Sequence, residues 1–281
     1  MPLVDTMAAF EAATLVERSL LDESYTLYAL AYDNEGQRVP GLFAVPKGGQ
    51  EPFPVVLLLH GHNSSKAYMI RRYAPALAEL GIASIAIDLP LQGERKSEGE
   101  DFFSGDPQTT ARTLQRAVID SRRALDWLRG REYVDNERVG VIGYSLGSWI
   151  ATMTAAADDR LKAAALNVMG EGQTAAVTGN WEQLLEEHPM LERWAERRGL
   201  DLSQGAFQGL LIEKWIAGIS PRPLLMLNGK EDRIVPAEGA EALYEAAKEP
   251  KEILWYDSGH ILPDEATDDC VQWIADRLSG E

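Results

Sequence analysis

Gly143-Tyr144-Ser145-Leu146-Gly147 is a G-x-S-x-G pentapeptide. That pattern holds a serine on a sharp strand-to-helix turn with its hydroxyl exposed. A serine hydroxyl becomes a competent nucleophile only when a base takes its proton. The chain has four histidines, His60, His62, His188 and His260. His260, in Asp257-Ser258-Gly259-His260 just after the last strand-like run, is the expected base. The other nitrogen of such an imidazole needs an orienting carboxylate. Asp232, in the segment Asn228 to Pro236 after the preceding strand-like run, fits that place. Three rival acids stand nearby: Asp257 shares one loop with His260, Glu231 neighbours Asp232, and Glu171 follows the strand before a long helical insertion. Together these residues describe nucleophilic acyl transfer.

Acyl transfer also needs donors for a developing oxyanion. The backbone N–H of Leu146, directly after the nucleophile, is one. The other is expected from the loop His60-Gly61-His62-Asn63-Ser64-Ser65-Lys66, with the N–H of His62 first and Asn63 second. Asn63, Glu171, Trp181 and Trp215 are candidates for contact with substrate. His60 reads as a buried histidine bonded to backbone, and His188 as a surface residue of the insertion. His60-x-His62 could begin a metal site, but no Cys or acidic residue stands at useful spacing. The chemistry calls for no metal and no cofactor.

These residues need a rigid frame, and the chain supplies the pattern of one. Strand-like runs at 24–31 and 38–45 flank Asp33-Asn34-Glu35-Gly36 and predict a hairpin. Continuous apolar runs at 54–60, 82–88, 138–143, 161–169, 223–228 and 252–256 predict strands buried on both faces. Helical patterns lie between and after them at 67–80, 109–129, 146–157, 237–248 and 264–278. Such alternation predicts an α/β fold, a mostly parallel central sheet with helices on both faces. Residues 89–108 read as a long polar loop. Residues 170–220 have helical pattern and no strand, and predict an inserted helical cap. Residues 1–169 and 221–281 then form the core.

A chain of 281 residues can bury such a core without staples. The net charge is −17. That argues against gripping nucleic acid or an anionic membrane. The helix at 109–131 is a local exception, with six Arg against Asp120 and Asp126. One cysteine, Cys270, excludes an internal disulfide. The opening residues lack the basic start and apolar run of a signal peptide. A cytoplasmic location is therefore expected. The uncharged stretch Val139 to Ala157 reads as strand, turn and helix, not a membrane span. The expected partner is a small-molecule ester. A homodimer is compatible with the sequence, which does not fix the oligomeric state.

His60-Gly61, Asp88-Leu89-Pro90-Leu91-Gln92-Gly93, the Ser145 elbow, Asp232 and His260 together resemble the α/β-hydrolase superfamily across roughly residues 24 to 278. The nucleophile, acid, base order is the one expected of that fold. The run HGHNSSK, the N-terminal hairpin and the cap before the acid strand are similar to dienelactone-hydrolase-like and prolyl-oligopeptidase-like esterases. Ser145 stands where true dienelactone hydrolases carry cysteine, and no propeller sequence is present. The resemblance therefore implies a stand-alone serine carboxylesterase acting on small to medium esters. An aminopeptidase or amidase, with Glu182 or Glu186 anchoring an amine, and a thioesterase are alternatives on the same residues. A non-catalytic ligand-binding protein is a further one.

Overall fold

The computed structural model describes residues 8–9, 22–104, 107–170 and 212–279. Its strands in chain order are β1 (Ala8–Ala9), β2 (Tyr25–Asn34), β3 (Gln37–Pro46), β4 (Phe53–Leu59), β5 (Ala83–Ile87), β6 (Val134–Tyr144), β7 (Leu161–Asn167), β8 (Leu224–Gly229) and β9 (Lys251–Tyr256). The described helices are α1 (Lys66–Glu79), α2 (Pro107–Leu128), α3 (Leu146–Ala157), α4 (Ile212–Ala217), α5 (Ala237–Ala246) and α6 (Asp264–Leu278).

The strands form one sheet in the order β1-β2-β3-β5-β4-β6-β7-β8-β9. The six from β5 to β9 run parallel, and β1, β2 and β3 add an antiparallel flank. Asn34 pairs with Gln37, leaving Glu35-Gly36 as a two-residue turn with φ of 52° and 78°. Two positive φ values match a hairpin turn whose twist suits the strands it joins.

Every residue of β4 and β5 is buried, as befits strands covered on both faces. Successive side chains go to opposite sides. Leu57, Leu59, Ile85 and Val141 pack under α2 and α3, with Ile212, Ile216 and Leu243 from α4 and α5. Val56, Leu58 and Ile142 pack under α1 and α6. β9, at the edge, alternates in burial along its length.

Three boundaries differ from the sequence reading. β6 starts at Val134, because charged Asp135, Glu137 and Arg138 mask an extended stretch that reaches back to pair Val134 with Phe53. α2 starts at Pro107, whose fixed φ suits the first turn of a helix. The polar loop after β5 contains a 3-10 turn at Gly93–Arg95. Of the expected cap, residues 171–211 lie outside the described residues. Its end, α4, packs into the core against α3 and α5 through Ile212 and Ile216.

Candidate active site

The carboxyl ends of β4, β6, β8 and β9 carry the candidate residues, the end of an open α/β sheet where ligands bind. β6 runs directly into α3 through Ser145, which holds φ 53° and ψ −118°. A non-glycine residue there is strained and persists because its surroundings over-determine it. The Ser145 N–H donates to the Asn167 carbonyl at 2.9 Å. The Asn167 amide donates to the Gly143 carbonyl at 2.9 Å. Gly147 lets α3 sit on β4: a methyl there would lie 1.9 Å from the Leu59 carbonyl oxygen.

Ser145 Oγ lies 3.0 Å from His260 Nε2. His260 Nδ1 lies 2.7 Å from Asp232 Oδ2. Asp232 Oδ1 accepts the N–H groups of Ile234 at 2.8 Å and Val235 at 3.0 Å. Burial pushes the Asp232 carboxyl upward, but the His260 bond and the two N–H groups outweigh it and hold the group below the usual carboxylate range. The acid and base loops are pressed together: a methyl on Gly229 would lie 2.4 Å from both the Ser258 and Gly259 carbonyl oxygens. Two rival acids are placed elsewhere. Asp257 binds Lys230 Nζ at 2.7 Å and is exposed, and Glu231 is exposed. Glu171 lies outside the described residues.

The loop after β4 lies against the elbow. A methyl on Gly61 would be 3.4 Å from Ser145 Cβ. His62 follows at once, and Leu146 is the first residue of α3, where a helix leaves its N–H without an intrahelical acceptor. The Asn63 N–H is already engaged by Gln92 Oε1 at 2.6 Å. The Asn63 side chain is exposed and reaches His62 Nδ1 at 3.2 Å.

His62 Nε2 bonds Asp101 Oδ1 at 2.8 Å, and its ring packs on Phe103 with centroids 4.9 Å apart. His60 is fully buried; its Nδ1–H donates to the Gly61 carbonyl at 2.7 Å and its Nε2 accepts the Leu89 N–H at 3.1 Å. The two imidazoles therefore serve different partners.

Trp215 is half-buried on α4 and packs against the core beneath α2 and α3. Trp181 lies outside the described residues. Sequence reasoning gave no role to four residues that contact the candidate residues or their loops: Gln92, Asp101, Phe103 and Tyr144. Gln92 and Tyr144 act through hydrogen bonds to backbone, which leave no mark on spacing or composition.

A family model described as the alpha/beta hydrolase family matches residues 56–273. The chain is 30% identical over 224 residues to the putative hydrolase YtaP of Bacillus subtilis, covering 75% of this chain and 71% of that protein. It is 27% identical over 223 residues to the esterase YjfP of Escherichia coli, covering 75% of this chain and 82% of that one. Against some other curated relatives it spans only 50% or 65% of their length. The fold is similar to that of the acetyl xylan esterase from Paenibacillus sp. R4, with a TM-score of 0.74 at 23% identity over 98% of this chain and 89% of that one. Among the described residues, no helix is long and apolar enough to cross a membrane. With a strand-to-helix serine at the carboxyl end of a mostly parallel sheet and a family match over most of its length, this chain belongs to the alpha/beta hydrolase family.

Proposed function

We propose that the chain is a serine carboxylesterase that cleaves small to medium carboxylic esters through an acyl-enzyme. One observation carries this reading: Ser145 Oγ, His260 and Asp232 stand in series at 3.0 Å and 2.7 Å on three separate strand ends. The names of YjfP and of the Paenibacillus enzyme support the ester class.

Ser145 Oγ attacks the ester carbonyl carbon while His260 Nε2 takes its proton. Asp232 accepts the Nδ1–H, fixes the tautomer and stabilises the imidazolium. The N–H groups of Leu146 and His62 receive the oxyanion. Collapse breaks the bond to the alcohol, and His260 returns the proton to that leaving oxygen. Water, deprotonated by His260, then attacks the acyl-enzyme, and Ser145 leaves with the proton restored. Each step uses side chains, backbone and water.

The reading of residues 170–220 as a cap belongs to the same proposal. The insertion follows β7, which ends at Asn167, the residue whose carbonyl holds the Ser145 N–H. The described chain thus leaves β7 beside Ser145, and the cap is proposed to wall the substrate. A cytoplasmic location suits a chain with a single cysteine.

A p-nitrophenyl ester series from acetate to octanoate tests the proposal. The native chain is expected to turn these over, with Ser145→Ala reduced to background and a fluorophosphonate labelling Ser145 alone. Turnover that survives Ser145→Ala overturns it. Faster turnover of acyl-CoA or aminoacyl-naphthylamide substrates would move the substrate class while keeping the same three residues.

A further inference from the structure

Resting on the esterase reading, we infer that Tyr144 and Arg72 are positioning residues that hold the His260 loop at working distance from Ser145. His260 stands on irregular backbone between β9 and α6, so no ladder or helix of its own fixes it. Tyr144 does. Its hydroxyl donates to the His260 carbonyl at 2.9 Å and accepts the Leu262 N–H at 3.0 Å. Its ring meets the His260 ring edge-on, with centroids 6.5 Å apart at 84°.

Arg72, from α1, extends the grip. Its Nη2 donates to the Leu262 carbonyl at 2.9 Å and the Pro263 carbonyl at 3.1 Å, and its guanidinium lies 5.6 Å from the centre of the Tyr144 ring. The loop is thus bound at four backbone groups by two side chains. Tyr144 is also the chain neighbour of Ser145. The residue that precedes the nucleophile therefore sets where the base stands, and one rigid ring ties the two loops. Burial pushes the Tyr144 hydroxyl up to about 12, so it keeps the proton it donates.

A double-mutant cycle on p-nitrophenyl acetate tests the inference. Tyr144→Phe keeps the ring and removes only the hydroxyl. It is expected to lower kcat by about 10–100-fold, as small displacements of reacting groups do, with KM changed less than about twofold. In a His260→Ala background the same change is expected to alter kcat by less than about twofold, because the group through which it acts is gone. Arg72→Met provides a second handle that leaves Tyr144 intact; it is expected to lower kcat by about 3–10-fold and to show the same loss of effect without His260.

The inference is overturned if Tyr144→Phe leaves kcat within about twofold of the native value, or if it costs the same factor with and without His260. If Tyr144→Phe fails to fold, the Arg72→Met cycle decides by the same criteria. A native chain that does not hydrolyse the ester marks failure of the esterase reading instead. The rate of Ser145 labelling by a fluorophosphonate then carries the cycle, with the same two outcomes.

Discussion

In the proposed triad, Asp232 gives one oxygen to structure and the other to chemistry. Its Oδ1 is held by the Ile234 and Val235 N–H groups, and its Oδ2 faces His260. In Asp232→Asn the remaining oxygen can keep the two backbone bonds. The new amide then presents hydrogens to Nδ1 and drives the imidazole into the wrong tautomer. We expect kcat on p-nitrophenyl acetate to fall by about 10⁴-fold with the thermal midpoint little changed; a fall below about tenfold would point to a different acid. The three residues now seen in series were legible in the sequence because each follows an apolar run and precedes a helix or turn. Tyr144 was visible as the first variable residue of G-x-S-x-G, but nothing in the pattern tells where its hydroxyl goes. Asn63 was a reasonable second donor by position, and only the Gln92 bond shows that its N–H is taken.

At the scale of elements, the loop after β5 grips the loop after β4. Leu89 N–H reaches His60, Gln92 Oε1 holds the Asn63 N–H, and buried Asp88 takes both the Lys66 N–H at 2.8 Å and its ammonium at 2.7 Å. Asn63 sits at φ 54°, and Gln92 holds that turn through its N–H, next to the proposed oxyanion donor His62. Gln92→Leu removes that acceptor from a buried position. It is expected to lower kcat/KM by about 10–100-fold, while Gln92→Glu, which keeps an acceptor oxygen, stays within about tenfold of native. Equal losses in both variants would show that Gln92 matters only for packing. The parallel strands and the hairpin were legible because burial on both faces and a two-residue turn each impose their own pattern. The start of β6 was not, since charged side chains can point to solvent from a strand whose backbone is still paired.

Over the whole molecule, the net charge of −17 is uneven. Residues 1–60 carry 3 basic and 8 acidic residues, whereas residues 61–145 carry 12 of each. The arginines of α2 suggested a local basic face, but the fold matches several of them to carboxylates. Arg116 meets Glu35 and Asp120, Arg122 meets Asp158, and Arg123 meets Asp126. Such pairing across elements is invisible to a count along the chain. Stability should depend on pH through buried His60, whose imidazole is lowered to about 4, chiefly by burial. Above the unfolded value of about 6.5 it is neutral folded or unfolded, so its stabilisation is complete. As pH falls from there toward 4, only the unfolded chain binds the proton, and stability is lost. Urea midpoints are therefore expected to drop between about pH 7 and about pH 4.5, and less steeply in His60→Asn; identical slopes would remove His60 as the cause. Gly147 and Gly229 have a different consequence, for descent. The first joins the β4 end to the nucleophile helix, and the second joins the acid strand to the base loop, each where a single methyl would collide with backbone oxygen. Neither residue is among those assigned a chemical role. A lineage of such proteins could rewrite its pocket walls again and again through drift while these two joints stayed closed to change. The choice of ester and the ability to cleave one can thus be inherited separately.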